Sequence, residues 1–491
     1  MDTAPAHASC YAALQARDPR FDGVFFTGVK STGIYCRPVC PAKTPRAASC
    51  IFFNCAASAE AAGFRPCLRC RPELAPYAVQ ANLAHALWQR IAAGALNHGN
   101  VEQLAQAAGL SSRQLRRVLL QQFGVTPIEL AQTQRLLFAK KLLQETPLTV
   151  SEIAFAAGFG SVRRFNSLFA ARYRMAPGAL RRSTASAGAS ALTKDETIVL
   201  RLAYRPPFDW LRLLRYLAPR AIAGVERIDL DEPGYTRSVL LGACRGVLRI
   251  THDDARAQLK LALPASLTPV LMPLLARVRQ QFDLDANPGL IHAHLRHDRL
   301  LRAIVDAAPG LRVPGAFDAF ELAVRAVLGQ QVSVAGATTI AARLVARFGS
   351  PLDAGGNGDG TLTHYFPDAA HLAQADIAAI AQLGMPAARA ATIVGLAQFA
   401  ANGNLDLRPG TGLDEAIASL KTVRGIGDWT AHYIALRALR FPDAFPAGDL
   451  GLQKAAAADG VRLSEKQLAA RAQAWSPWRG YAALALWQTP D

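Results

Sequence analysis

Apolar positions recur at two different periods along this chain, and the changes of period divide it. Val101-Glu102-Gln103-Leu104-Ala105-Gln106-Ala107-Ala108-Gly109-Leu110-Ser111 spaces its apolar residues three and four apart, as a helix with one buried face does. The glycine permits a tight turn, and Ser111 or Ser112 can cap a following helix. About fifty residues later Val150-Ser151-Glu152-Ile153-Ala154-Phe155-Ala156-Ala157-Gly158-Phe159-Gly160-Ser161 leads into Val162-Arg163-Arg164-Phe165-Asn166, so one helix-turn-helix pattern is written twice. Then Ile198–Leu202, Ser238–Leu241, Val247–Thr251 and Gln258–Leu263 read as strands. From about residue 265 onward the helical period dominates. Two stretches carry neither period. Ser183–Ala191, small and polar, reads as a flexible linker, and Asp353–Gly360 as a glycine-rich surface loop.

A chain of 491 residues exceeds one hydrophobic core, and three or four domains are expected. No apolar run reaches the roughly 18 residues of a spanning helix, and no charged-then-apolar leader opens the chain. No membrane partner is expected, and the reading is a soluble, cytoplasmic, nucleoid-associated protein. The net charge of +17 calls for a polyanionic partner. Residues 80–182, about a fifth of the chain, hold 13 basic against 4 acidic side chains, more than half of that excess. A surplus spread for solubility would not concentrate in this way, so double-stranded DNA is the expected partner.

Seven of the eight cysteines lie in the first 70 residues. Cys36-x3-Cys40 and Cys67-x2-Cys70 are two short-spaced pairs, the arrangement in which four thiolates hold one Zn2+ tetrahedrally. Cys50 and Cys55 lack a paired context and read as buried structural thiols. Spacing alone fits a purely structural zinc knuckle equally well. Ser31-Thr32-Gly33-Ile34-Tyr35-Cys36-Arg37-Pro38-Val39-Cys40 and Ala62-Gly63-Phe64-Arg65-Pro66-Cys67-Leu68-Arg69-Cys70 resemble the N-terminal domain of the Ada adaptive-response regulators. That resemblance implies that Cys36 accepts a methyl group from DNA methylphosphotriesters. Zinc would keep the sulfurs as nucleophilic thiolates, and methylation would remove one negative charge that repels phosphate.

The second helices of the repeated pattern carry Arg113, Gln114, Arg116, Arg163, Arg164 and Asn166 near their starts, residue types that read base edges and clamp phosphates. Gly158-Phe159-x-Ser161, Phe165, Phe169, Arg174 and Pro177 resemble the AraC-type DNA-binding domain, which follows the zinc module in Ada proteins. The resemblance implies a promoter-binding activator with RNA polymerase as a further partner.

Val423-Arg424-Gly425-Ile426-Gly427-Asp428-Trp429-Thr430-Ala431 places a Gly-x-Gly turn between two helical patterns. Gly425 and Gly427 would present backbone amides, beside a helix N-terminus, to a DNA phosphate. Twenty-two residues past Gly427, Asp449 stands in Phe445-Pro446-Ala447-Gly448-Asp449. An Asp after Gly is ordinarily a helix N-cap. A hairpin followed by such a loop resembles instead the helix-hairpin-helix DNA glycosylases, in which this carboxylate is catalytic. It can stabilise an oxocarbenium ion or orient water. Arg205–Trp210, Phe320–Ser333 and Trp475–Arg479 resemble the AlkA-type 3-methyladenine glycosylases in particular. The resemblance implies a base pocket of Tyr216, Trp429, Tyr433 and Trp487, whose ring faces attract a cationic base. It also implies a gap-filling wedge at Gln331 and a monovalent cation at the hairpin. Leu450 and Gln488 lack rings that some relatives have. Trp429 occupies the position at which strand-cleaving glycosylases place a Schiff-base Lys, so a monofunctional enzyme is expected.

The expected fold is multidomain and mainly α with α/β parts. It comprises a zinc-binding α/β module (1–78), an all-α double helix-turn-helix (79–182), a linker (183–196), an AlkA-type α/β subdomain (197–310) and an all-α helix-hairpin-helix glycosylase domain (311–491). No Pro-Cys-His-Arg nucleophile motif occurs, so alkylguanine transfer is not expected. The alternative is a transcription regulator whose glycosylase-like half is a catalytically dead DNA clamp.

Overall fold

The computed structural model of the protein describes residues 7–76, 83–184, 197–352, 360–457 and 461–488. The expected linker, beyond residue 184, and all but the last residue of the expected loop Asp353–Gly360 lie outside them. The chain forms two units. One holds Met1–Arg205, Asp253–Ala276 and Arg408–Gly410; the other holds Pro206–His252, Arg277–Leu407 and Thr411–Asp491.

In the first unit a four-stranded sheet runs in the order β3-β1-β2-β4, with β1 Phe26–Val29, β2 Ile34–Cys36, β3 Cys50–Phe53 and β4 Arg65–Pro66. β1 pairs antiparallel with β2 and β3, but β2 and β4 run parallel, with Tyr35 opposite Pro66. That register brings the chain out of both strands side by side, at Cys36 and Cys67. Helix Ala56–Ala61 carries Glu60 beneath the sheet, where the carboxylate is buried.

The double helix-turn-helix follows. Helices Val101–Ala107 and Ser112–Phe123 form the first copy, Val150–Ala156 and Val162–Tyr173 the second, and the long helix Pro127–Glu145 lies between them. Asn100, Ser111, Thr149 and Ser161 cap the four shorter helices. Both turns pass through a glycine with positive φ, Gly109 (67°) and Gly158 (82°), where a side chain would be strained.

The cysteine module and the helices share one unit because of charge as well as packing. Lys140 and Lys141, mid-helix on Pro127–Glu145, are buried. Lys140 pairs with Glu73 at 2.5 Å and Lys141 with Glu145 at 2.8 Å, while Arg71 reaches Glu73 (2.9 Å) and Glu145 (2.6 Å). Glu60 accepts from Tyr35 (3.0 Å) and Thr133 (2.8 Å) and pairs with Arg172 at 3.1 Å, joining the sheet to two helices. Buried charges are tolerated because each has an opposite partner. β5 (Thr197–Ala203) joins this unit, paired antiparallel with a later strand, Gln258–Pro264. Arg201 donates its amide to Glu145.

In the second unit an antiparallel meander is formed by β6 (Glu226–Asp229), β7 (Gly234–Leu241) and β8 (Cys244–Asp253). The sequence reading had no strand at β6, whose Glu226-Arg227-Ile228-Asp229 lacks an apolar face. The helical core centres on Ala319–Leu328, buried along nearly its whole length. Helix Asp428–Arg437 packs against it, and Leu450–Ala455 packs against the C-terminal helix Arg479–Trp487.

Candidate active site, metal centre and DNA-binding faces

One thiol from each of Cys36, Cys40, Cys67 and Cys70 meets the others within 4.8 Å, the one such group of His, Cys and carboxylate residues among the described residues that could hold a metal ion. The parallel β2–β4 pairing explains why: Cys67 donates its amide to the Tyr35 carbonyl at 3.0 Å, locking the two exits together. Cys40, Cys67 and Cys70 are buried, whereas Cys36, the expected methyl acceptor, is a partly exposed residue. The Arg37 amide donates to Cys70 Sγ at 3.4 Å, and its guanidinium grips Asp22 and the Cys70 carbonyl. Cys50 and Cys55 are buried outside the cluster. Cys55 instead accepts from the Ser58 amide at the head of its helix.

The second helices of the two helix-turn-helix copies carry matching surfaces. Arg113, Gln114 and Arg116 on one, and Arg163, Arg164 and Asn166 on the other, are exposed, while Leu115, Leu119, Phe165 and Phe169 face inward. Gln114 already spends its carbonyl oxygen on the Ser111 amide in a capping box, leaving its NH2 group to face outward.

At the hairpin between helices Leu413–Lys421 and Asp428–Arg437 the two glycines differ. Gly425 has φ +93°, and a Cβ there would come within 2.1 Å of Thr392 Oγ1, so it must be glycine. Gly427 has extended backbone and room for a side chain; its place is that of the next helix's N-cap. Of the two, only Gly425 has a conformation that requires glycine. Gln331 is exposed and adopts φ +56°. Its neighbour Gln330 donates to the Gly425 carbonyl and Thr430 Oγ1, each at 3.0 Å, and Arg389 donates to the Gln330 carbonyl at 2.6 Å. The loop bearing Gln331 is thus fastened to the hairpin. The sequence reading passed over Gln330.

Asp449 caps helix Leu450–Ala455, accepting the Leu452 amide at 2.9 Å. It also accepts the indole N–H of Trp429 on Oδ2 (2.8 Å) and of Trp487 on Oδ1 (3.1 Å). The N-cap role and a site role coincide in one side chain. Three donors from three segments fix its rotamer, and both indoles come from the expected pocket. The cavity before it, about 380 Å3, is lined by all four expected aromatics, Tyr216, Trp429, Tyr433 and Trp487, together with Asp449. Trp429 and Tyr433 stack at 5.2 Å and 12°, and Tyr433 meets Trp487 at 6.2 Å.

Charged side chains that the sequence reading missed line the same cavity. Arg437 is buried, donating to the Tyr433 hydroxyl and to the Pro314 carbonyl. Its guanidinium lies 5.3 Å from both the Tyr216 and Tyr433 ring centroids, and Arg220 covers Tyr216 at 4.0 Å. Arginines, not an open ring face, therefore flank Tyr216. Burial pushes the Tyr216 phenol up; at Tyr433 burial acts the same way, but the Arg437 and Arg220 charges outweigh it and lower the phenol's pKa. Deeper, Arg325 bridges Glu226 and Glu321, and Arg237 pairs with Glu321 at 2.8 Å. The signal for Arg437 was present: Trp429, Tyr433 and Arg437 are four residues apart and share one helix face.

Four family models match the chain: the metal binding domain of Ada (residues 9–73), a helix-turn-helix domain (104–183), the AlkA N-terminal domain (199–318) and the HhH-GPD superfamily of base excision DNA repair proteins (324–479). A probable bifunctional transcriptional activator/DNA repair enzyme AlkA of Mycobacterium tuberculosis is 39% identical over 98% of this chain and 96% of its own length. DNA-3-methyladenine glycosylase 2 of Escherichia coli is 38% identical over 59% of this chain and 96% of its own. Among solved structures, a 3-methyladenine DNA-glycosylase from Archaeoglobus fulgidus shares the fold of the matched part, with a TM-score of 0.51 at 19% identity over 58% of this chain and 96% of that one.

Proposed function

This chain belongs to the family of bifunctional transcriptional activator/DNA repair enzymes of the AlkA type, and on that premise we propose how its parts divide the work. It is a DNA glycosylase of alkylation repair joined to an Ada-type sensor and a DNA-binding regulator. The observation that carries the catalytic assignment is Asp449, held by two indoles and a helix N-terminus at the wall of an aromatic cavity.

In this reading a flipped base enters the cavity against Trp429 and Trp487, while Gln331 fills the space it left in the duplex and Gly425 and the Gly427 amide seat a phosphate. As the C1′–N bond breaks, positive charge grows on the sugar beside the Asp449 carboxylate. The same carboxylate orients the water that adds to C1′. Trp429 offers no amine for a Schiff base, so the product is an intact strand with an abasic site. A monovalent cation at the hairpin would strengthen phosphate seating there.

Cys36, Cys40, Cys67 and Cys70 fit one Zn2+, since four converging thiols are the donor set that ion takes. Bound zinc would hold the sulfurs as thiolates at neutral pH. Cys36 Sγ then attacks the methyl carbon of a phosphotriester; the S–C bond forms, the C–O bond breaks, and a phosphodiester anion departs. Arg113, Gln114, Arg116, Arg163, Arg164 and Asn166 read the promoter, and the bound protein contacts RNA polymerase. In this reading the protein acts on chromosomal DNA in the cytoplasm. Among the described residues no helix is long and apolar enough to cross a membrane.

The test is release of free 3-methyladenine from alkylated duplex DNA by wild type and by Asp449→Asn. Release by wild type, falling about 10²- to 10³-fold in the variant, is expected for loss of one preorganised electrostatic contact. Equal release by both removes Asp449 from the mechanism, and release by neither makes the C-terminal half a DNA clamp.

A further inference from the structure

The charges lining the base cavity are unequally compensated. Glu226 and Glu321 are both bound to Arg325, and Arg237 is bound to Glu321, so the deep cluster is internally paired. Arg220 and Arg437 have no carboxylate within 4.0 Å among the described residues, and of these two only Arg437 is buried. Its partners are neutral: the Pro314 carbonyl, the Tyr433 hydroxyl and two phenol rings. Asp449, the carboxylate in the same lining, is held by neutral donors only among those the structure gives it. The aromatic cavity is thus lined by a buried, unneutralised cation, bonded to Tyr433, and by a carboxylate, bonded to Trp429 one helical turn earlier.

We infer that Arg437 is a charge-setting residue for base release, forming with Asp449 a fixed field across the cavity that drives electrons from the sugar toward the base. This rests on the glycosylase reading above. When the C1′–N bond breaks, its electron pair leaves with the base. A cationic alkylated purine departs neutral; a neutral lesion departs as an anion and takes a proton from water. In both cases the base becomes one unit more negative and the sugar one unit more positive. Water then gives hydroxide to C1′ and a proton to solvent. A cation near the base and an anion near the sugar favour that displacement whichever lesion is bound. Their effects on binding differ. Arg437 repels a base that arrives with positive charge, whereas it leaves binding of a neutral base nearly unchanged. The repulsion is relieved as the bond breaks, so for cationic bases part of the effect is a weakened ground state.

The experiment uses the full-length chain with Arg437→Gln, which is neutral yet keeps a donor for the Pro314 carbonyl, and Arg437→Lys, which restores charge without the planar fork. Duplexes carry one N7-methylguanine (cationic) or one hypoxanthine (neutral). Single-turnover base release and equilibrium binding are measured for each. Expected for Arg437→Gln is a release rate about tenfold or more lower on both lesions, the order a nearby unit charge supplies at an effective dielectric near 20. Its affinity for the N7-methylguanine duplex should rise severalfold, and its affinity for the hypoxanthine duplex should stay the same. Arg437→Lys should recover most of the rate. Unchanged release by Arg437→Gln overturns the inference, as does equal loss in both variants with unchanged binding, which would mean that guanidinium shape matters and charge does not. If Arg437→Gln fails to melt cooperatively, Arg437→Met, neutral and of similar length, is put through the same measurements of rate and affinity, with the same outcomes expected and the same outcomes overturning the inference. A wild type that releases neither base sinks the glycosylase reading and this inference together; an active wild type matched by Arg437→Gln sinks only the inference.

Discussion

Replacing Glu60 with Gln should make the first unit progressively more stable relative to wild type as pH rises to neutrality, by an amount that the buried site itself sets. Burial pushes the Glu60 carboxyl up from its usual 4.5 to about 6, against the opposing pull of Arg172, Thr133 and Tyr35. A carboxyl that holds its proton more tightly when folded contributes stability in full below the unfolded value. That contribution is lost as pH rises through the folded one. The window here runs from 4.5 to about 6, and a shift of that size corresponds to about 2 kcal/mol. Glutamine never ionises, and its carbonyl oxygen can still accept from the Tyr35 and Thr133 hydroxyls. The stability difference, Glu60→Gln minus wild type, should therefore climb by about 2 kcal/mol between pH 4 and pH 7, whatever its offset at pH 4. Titrations of other groups cancel in the difference. Trp88 is the one tryptophan of this unit, so urea unfolding of 5-fluorotryptophan-labelled full-length protein, followed at the Trp88 resonance, isolates the relevant transition. A difference that is flat or falls with pH would refute the reasoning, and would mean that Arg172 keeps Glu60 ionised at no net cost.

Three further outcomes follow from the geometry. Trp429→Phe removes the one donor that Asp449 Oδ2 has among the described residues and should lower single-turnover base release by about 10- to 100-fold, the range for a lost hydrogen bond to a charged group; a change under threefold would remove the indole from the mechanism. Stripping metal with a chelator should abolish methyl acceptance at Cys36 and unfold residues 7–76 locally, as amide exchange would record, while base release persists; unaltered exchange protection would make the thiol cluster self-supporting. Arg113→Ala and Arg163→Ala should each reduce the slope of log affinity against log salt by about 1 for promoter DNA, and no change in slope would take these helices off the phosphates.

The reading of the chain alone reached the cysteine quartet, both helix-turn-helix copies and the hairpin, because each is a local spacing. It could not reach what depends on distant partners. Lys140 and Lys141 look like a solvated helix face, and their burial follows from Glu73 and Glu145 arriving opposite them. β6 is held as a strand by pairing with β7, not by any apolar alternation of its own. At the pocket, four aromatics were legible from family position, but the cation among them was not. Arg437 repeats the spacing of Trp429 and Tyr433, yet a periodic position does not reveal whether a charge there points to water or inward. Gln330 escaped for a related reason: its bonds run to Gly425 and Thr430, nearly a hundred residues away.

The ion pairs between Arg71, Glu73, Lys140 and Glu145, with Glu60 joining Tyr35 to Thr133 and Arg172, have a consequence for how damage could be sensed. A thiol tethered by a loose hinge could sample any phosphate near a bound promoter. A thiol clamped to the helices proposed to read the promoter would work instead like the jaw of a caliper. When those helices are seated, Cys36 can touch only phosphates at one offset from the bases being read. A methylated phosphate anywhere else must be met while the helices are out of register with their own operator. Damage detection and promoter occupancy would then be successive visits to different stretches of DNA, with the altered sulfur carrying the message between them.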